Sequence, residues 1–132
     1  MEQFKKFFSN DRFAAGVGVE LISVAPGQAV ARLRLEARHH NAIGTAQGGA
    51  IFTLADLAFA AACNAHGTVA VAVNVSITYL KAARDGLLTA TAREISRNSK
   101  LGAYTVTVTD EAGEVVALFQ GLAYRKKDAL PL

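Results

Sequence analysis

Between Ala42 and Ala65 the chain carries a single charged side chain, Asp56. The stretch from Ala50 to Asn64 is apolar on nearly every side and has helical length. A helix without a polar face must be enclosed by other elements, so the rest of the chain is constrained to wrap it. Strands supply the wrapping. Ala29, Ala31, Leu33 and Leu35 alternate with Val30, Arg32, Arg34 and Glu36, and Tyr104, Val106 and Val108 alternate with Thr105, Thr107 and Thr109. Period-two patterns of this kind mark half-buried strands. Further strands are predicted over Val17–Val24, Val69–Leu80, Leu87–Ser96 and Val115–Tyr124. Turns fall at Ala25-Pro26-Gly27, Asp85-Gly86 and Asp110–Gly113. Gln3–Ala15 predicts a short amphipathic helix stopped by Gly16, and Asp128–Leu132 a frayed tail. The order is helix, two strands, long helix, four strands, in one domain over residues 1–132. The simplest way to bury the long helix is a strongly curved antiparallel sheet, an α+β arrangement.

Asp56 is the residue that fits this plan worst. Aspartate is a poor helix former in an interior, and a desolvated carboxylate is costly unless paired. It lies too far along to cap the helix or to gain much from its dipole. One account is a buried hydrogen-bond network; the other is a general base or nucleophile tolerated for its chemistry. Gly48-Gly49, where the helix begins, is a second signal. Free N–H groups there suit an oxyanion, and glycine lets a carbonyl approach closely. A nucleotide loop is excluded, because neither GxGxxG nor GxxxxGK[ST] is present. Asn41 and Gln47 flank the preceding loop and can orient a water or a carbonyl. His39 and His40 lack a further ligand at metal spacing and read as loop surface. Cys63 reads as a small core residue, and no metal or cofactor is expected.

Composition removes other classes. With 52% apolar residues the chain can bury a true core. A span through a membrane at Gly48–Ala65 is rejected, because a central Asp costs roughly 2.5–3.5 kcal/mol on insertion. There is no zinc spacing, RNP-type strand or helix-turn-helix, so nucleic acid is not the expected partner. No secretory signal is recognised at Met1–Asp11, and the single cysteine fits a reducing, cytoplasmic compartment.

Taken together, NAIGTAQGGAIFTLAD at Asn41–Asp56, its continuation LAFAAACNAHG, the strand Val73–Leu80 and Leu118–Gly121 resemble the hot-dog-fold acyl-CoA thioesterases of the phenylacetyl-CoA (PaaI) type. The resemblance runs from about Phe13 to Arg125. It implies a hot-dog fold, in which a curved sheet wraps one helix, and hydrolysis of phenylacetyl-CoA or a related aryl-acyl-CoA, as in phenylacetate degradation. It places the acid on Asp56, the oxyanion donor on the Gly48 N–H, and the family's loop asparagine on Asn41. Many members carry His-Gly-Gly where this chain has Gln47-Gly48-Gly49, and glutamine cannot transfer a proton as histidine could. Gly49 is expected beside the substrate. CoA phosphates are expected near basic residues, with Arg84, Arg97 and Lys100 as candidates. Homodimers, usually paired into homotetramers, are also implied.

Helix geometry adds a constraint. Eight residues separate Gly48 from Asp56, which is about 12 Å along the axis and a turn of roughly 80°. One carbonyl carbon must meet both groups within about 3 Å. A two-fold dimer with antiparallel helices solves this by sharing sites. Two rival functions are a non-catalytic acyl-CoA sensor on the same fold and a hydroxyacyl-thioester dehydratase. The missing histidine at Gln47 argues against the second, and Asp56 against the first.

Overall fold

The computed structural model describes residues 1–132. Two short helices, α1 (Glu2–Phe8) and α2 (Arg12–Val17), precede strands β1 (Glu20–Ala25) and β2 (Gln28–Arg34). A 3₁₀ turn at Ala37–His39 leads through a loop into α3 (Gly48–Asn64). Four strands follow: β3 (Thr68–Tyr79), β4 (Leu87–Arg97), β5 (Leu101–Thr109) and β6 (Val115–Ala129). All strand pairs are antiparallel, in the order β1-β2-β4-β5-β6-β3. The sheet curves so that α3 touches all six strands. This is the hot-dog arrangement.

The enclosure works because alanines make up much of the helix face that the sheet covers. Ala55, Ala58, Ala61 and Ala62 are fully buried and let the sheet come close. Ile51, Leu54 and Leu57 are buried with them, and Phe59 is the bulkiest of the set. Its ring packs edge-on against Tyr104, with centroids 5.6 Å apart, and tilts against Phe119 at the same distance. It lies so near Gly121 that a Cβ there would meet Phe59 Cε1 at 2.7 Å. The sheet thus gives up one side chain to seat this ring. The alternation in β5 is as predicted, with Tyr104, Val106 and Val108 inward. The Tyr104 hydroxyl is satisfied by donating to Glu94 Oε1 at 2.7 Å.

Several expectations from the sequence are corrected: the first strand, expected over Val17–Val24, begins only at Glu20, because Val17 ends α2. The single helix over 3–15 is two helices. Asp11 caps a new one, its carboxylate accepting from the Ala14 N–H at 2.9 Å. That helix passes through Gly16 and stops at Gly18, whose φ of 101° favours glycine. The tail is not frayed at 128: β6 runs to Ala129, and the Leu130 N–H donates to the Gly67 carbonyl at 2.9 Å, with Leu130 buried. His39 is not loop surface. It is buried, its Nδ1 accepts from the Glu36 N–H, and its Nε2 donates to the Val17 carbonyl at 2.6 Å.

Candidate active site

The first turn of any α-helix has four N–H groups without helical partners. In α3 three of them are satisfied. The Gln47 N–H donates to the His39 carbonyl at 2.8 Å, the Gly49 N–H to the Gln47 side-chain oxygen, and the Ala50 N–H to the Gln47 carbonyl at 2.9 Å. The Gly48 N–H is left with no partner in the chain. Gln47 is therefore an N-cap whose side-chain oxygen closes the helix start.

Gly48 opens onto a groove of about 390 Å³ whose walls include Asn41, Ile51, Tyr79 and Lys81. Asn41 shapes this rim. Its Oδ1 accepts from the Ile43 and Thr45 N–H groups, both at 3.1 Å, and its Nδ2 donates to Thr45 Oγ1 at 2.9 Å. Gly49 faces a second groove of about 380 Å³, with Phe13, Ala50 and Thr53 along it. The start of α3 thus stands between two grooves.

The helix is not enclosed all round, as its composition suggested. A stripe at Gly49, Thr53, Asp56 and Ala60 stays partly open. The spacing of four, three and four residues keeps it on one face. Asp56 lies within this stripe rather than in the core. No hydrogen bond or ion pair holds its carboxylate, unlike Glu94 and Asp110, whose partners are plain. Within this chain no hydrogen-bond network holds Asp56. Burial, helped by the negative charge of Asp11, pushes its pKa above the ordinary 3.8. A carboxylate that is more basic and free of partners can accept a proton from water.

The basic candidates are spread out. Arg84 lies beside the loop before α3; its guanidinium donates to the Gly44 carbonyl at 3.4 Å, and its own carbonyl accepts from His40 at 2.7 Å. Arg97 and Lys100 stand at the β4–β5 turn, a strand's length away. Arg97 is engaged there: it donates to His66 Nδ1 at 2.9 Å, which leaves the His66 Nε2 proton for Glu94 at 2.7 Å. Burial raises the Glu94 pKa, but hydrogen bonds from Tyr104 and His66 outweigh it, and the carboxyl is held below its ordinary value. One chain alone does not gather the three cations. Burial pushes the Cys63 thiol up to about 12, which makes it inert core. Sequence reasoning missed Tyr79, whose hydroxyl donates to the Gly48 carbonyl at 2.8 Å. It also missed Asp11, since a polar residue before a short helix signals only a cap.

The chain has relatives of known family in both sequence and structure. An esterase-like protein of Archaeoglobus fulgidus, called a putative esterase, is 37% identical over 99% of this chain and 86% of its own length. The acyl-coenzyme A thioesterase PaaI of Escherichia coli is 36% identical over 89% of this chain and 85% of its own. The solved structure of the E. coli PaaI protein from the phenylacetic acid degradation operon superposes with a TM-score of 0.90, covering 94% of this chain and 91% of that one, at 34% identity. The model of the thioesterase superfamily matches residues 43–117, and the chain belongs to that superfamily as a thioester hydrolase of the hot-dog fold.

Proposed function

We propose that this enzyme hydrolyses an acyl-CoA thioester to a carboxylic acid and CoA, with Asp56 as general base and the Gly48 N–H as oxyanion donor. The observation that carries the reading is the pair of unsatisfied groups on one helix: the single free N–H of its first turn and a carboxylate with no partner. Asp56 takes a proton from water, and the new hydroxide adds to the thioester carbon. The Gly48 N–H stabilises the oxyanion; the C–S bond then breaks, and the CoA thiolate leaves to be protonated. The raised pKa of Asp56 favours this route over direct attack through a mixed anhydride. A single turnover in ¹⁸O-water distinguishes them, since direct attack can leave the label on the Asp56 carboxyl.

The acyl group is an aryl-acetyl or related aryl group in this proposal. Its support is the similarity to PaaI together with the groove lined by the exposed Phe13 and the small residues Gly49, Ala50 and Thr53. A second copy completes the site. Gly48 and Asp56 are about 12 Å apart along α3, the helix stripe carrying Asp56 is open, and β3 leaves a long edge with Val71 and Val73 exposed. Such an edge invites pairing. Ile95 and Leu118, exposed on other strands, support further association into a homotetramer. The lone, buried Cys63 suits a reducing cytoplasm.

The test is thiol release from a panel of phenylacetyl-, benzoyl-, acetyl- and palmitoyl-CoA. Turnover strongest on an aryl member supports the proposal. Tight binding of every member without release would make the protein a sensor instead.

A further inference from the structure

Two adjacent glycines make a poor start for a helix that has to aim one N–H at a developing charge. Glycine loses more backbone freedom on ordering than any other residue, and Gly48-Gly49 sit where helices fray. Something outside the helix must hold this turn. The Gln47 side chain holds the Gly49 N–H from one side. On the other, the Tyr79 hydroxyl donates to the Gly48 carbonyl at 2.8 Å, a bond spanning 31 residues of sequence. The Tyr79 ring also lies flush against Gly48: a Cβ there would stand 3.1 Å from both Tyr79 Cζ and Oη. Tyr79 is the last residue of edge strand β3, is half exposed, and shares the groove into which Gly48 opens.

We infer that Tyr79 is a positioning residue for the oxyanion donor: it pins the Gly48 carbonyl and walls the same residue, so that the free Gly48 N–H keeps one direction. This rests on the proposed role of Gly48. A structural need for the bond alone is a weaker account, because α3 is already anchored along its length by the sheet and the Tyr79 hydroxyl bonds at its first residue. Burial raises the Tyr79 pKa, so the phenol remains a donor through the whole range in which Asp56 ionises. The arrangement also gives position 48 its second reason to be glycine: any side chain there would push the ring away.

The inference concerns the transition state, so the readout is a split between kcat and KM. Tyr79→Phe keeps the ring and removes the donor. Loss of one positioning hydrogen bond should lower kcat about tenfold, with KM within about twofold and a near-unchanged melting temperature. Gly48→Ala, which must displace the ring, should lower kcat similarly. Because both perturb one contact, the double variant should fall far short of the product of the two losses. Asp56→Asn is assayed alongside. If it is dead while Tyr79→Phe keeps normal kcat, the site reading stands and the inference is overturned. A raised KM with intact kcat also overturns it, making Tyr79 a substrate contact. If Asp56→Asn itself turns over normally, the proposed function has failed first.

Discussion

If each site is built from the Gly48 N–H of one copy and the Asp56 carboxylate of another, two dead variants should repair each other. Asp56→Asn removes the base and should lower turnover about 10²–10⁴-fold. Gly48→Pro removes the one free N–H of the α3 first turn, a position where proline's fixed φ is tolerated. Its ring has to displace the Tyr79 side chain, already 3.1 Å from a Cβ at this position, so a melting curve must show that the variant is folded. In a mixed dimer one site collects both defects and the other collects neither. A purified heterodimer should therefore recover about half the wild-type rate per dimer, and an unpurified one-to-one mixture, in which about half the dimers are mixed, about a quarter. Against a background reduced at least a hundredfold, either signal is unmistakable. The assay is thiol release by heterodimers isolated through two different affinity tags. Folded, inactive homodimers that give an inactive, verified heterodimer would refute the shared site, and with it the argument from helix geometry.

Three other outcomes follow. Asp56→Asn should stabilise the protein at neutral pH, because the native state no longer ionises a desolvated carboxylate. With a folded pKa above the unfolded one, the wild-type cost is absent where both states are protonated, grows as pH rises through the ordinary value of 3.8, and is complete above the folded pKa; melting temperatures of the two proteins should converge in acid. Arg84→Ala should raise KM several-fold, leave kcat intact and blunt its salt dependence, with similar effects at Arg97 and Lys100 if the second copy brings them to the same CoA; unchanged KM in all three would place the phosphates elsewhere. Gly121→Ala should cost about 1–3 kcal/mol by forcing the Phe59 ring from its seat, read as a lowered denaturation midpoint with activity retained in the folded fraction.

The fold was legible because its largest requirement was written as a pattern. A helix without a polar face needed a wrapping sheet, and the alternations in β2 and β5 supplied inward faces at the right places. What the pattern could not carry was anything set by single contacts between distant segments. The α1–α2 break depends on one Asp11 cap, and the order of the C-terminal end on Leu130 reaching the Gly67 carbonyl. His39 looked like loop surface because nothing local shows that the Val17 carbonyl waits 22 residues away.

The site was legible for a different reason. Asp56 and Gly48 stood out as violations, a charge in an apolar helix and a flexible residue at its start, and both violations persist in the structure as unsatisfied groups. Gln47 and Asn41 were picked out by their place in the loop and by the resemblance, and in each the side-chain oxygen accepts from the local backbone. Tyr79 gave no sign, since a tyrosine ending a strand is ordinary. The general point lies in this contrast. Where a fold satisfies nearly every polar group, chemistry is found in the residues it leaves free, and the residues that satisfy their neighbours hold those free groups in place. On α3 the Gln47 cap and the Tyr79 hydroxyl both bind the Gly48–Gly49 peptide, next to the Gly48 N–H, and what they leave unbound is the group proposed as the oxyanion donor.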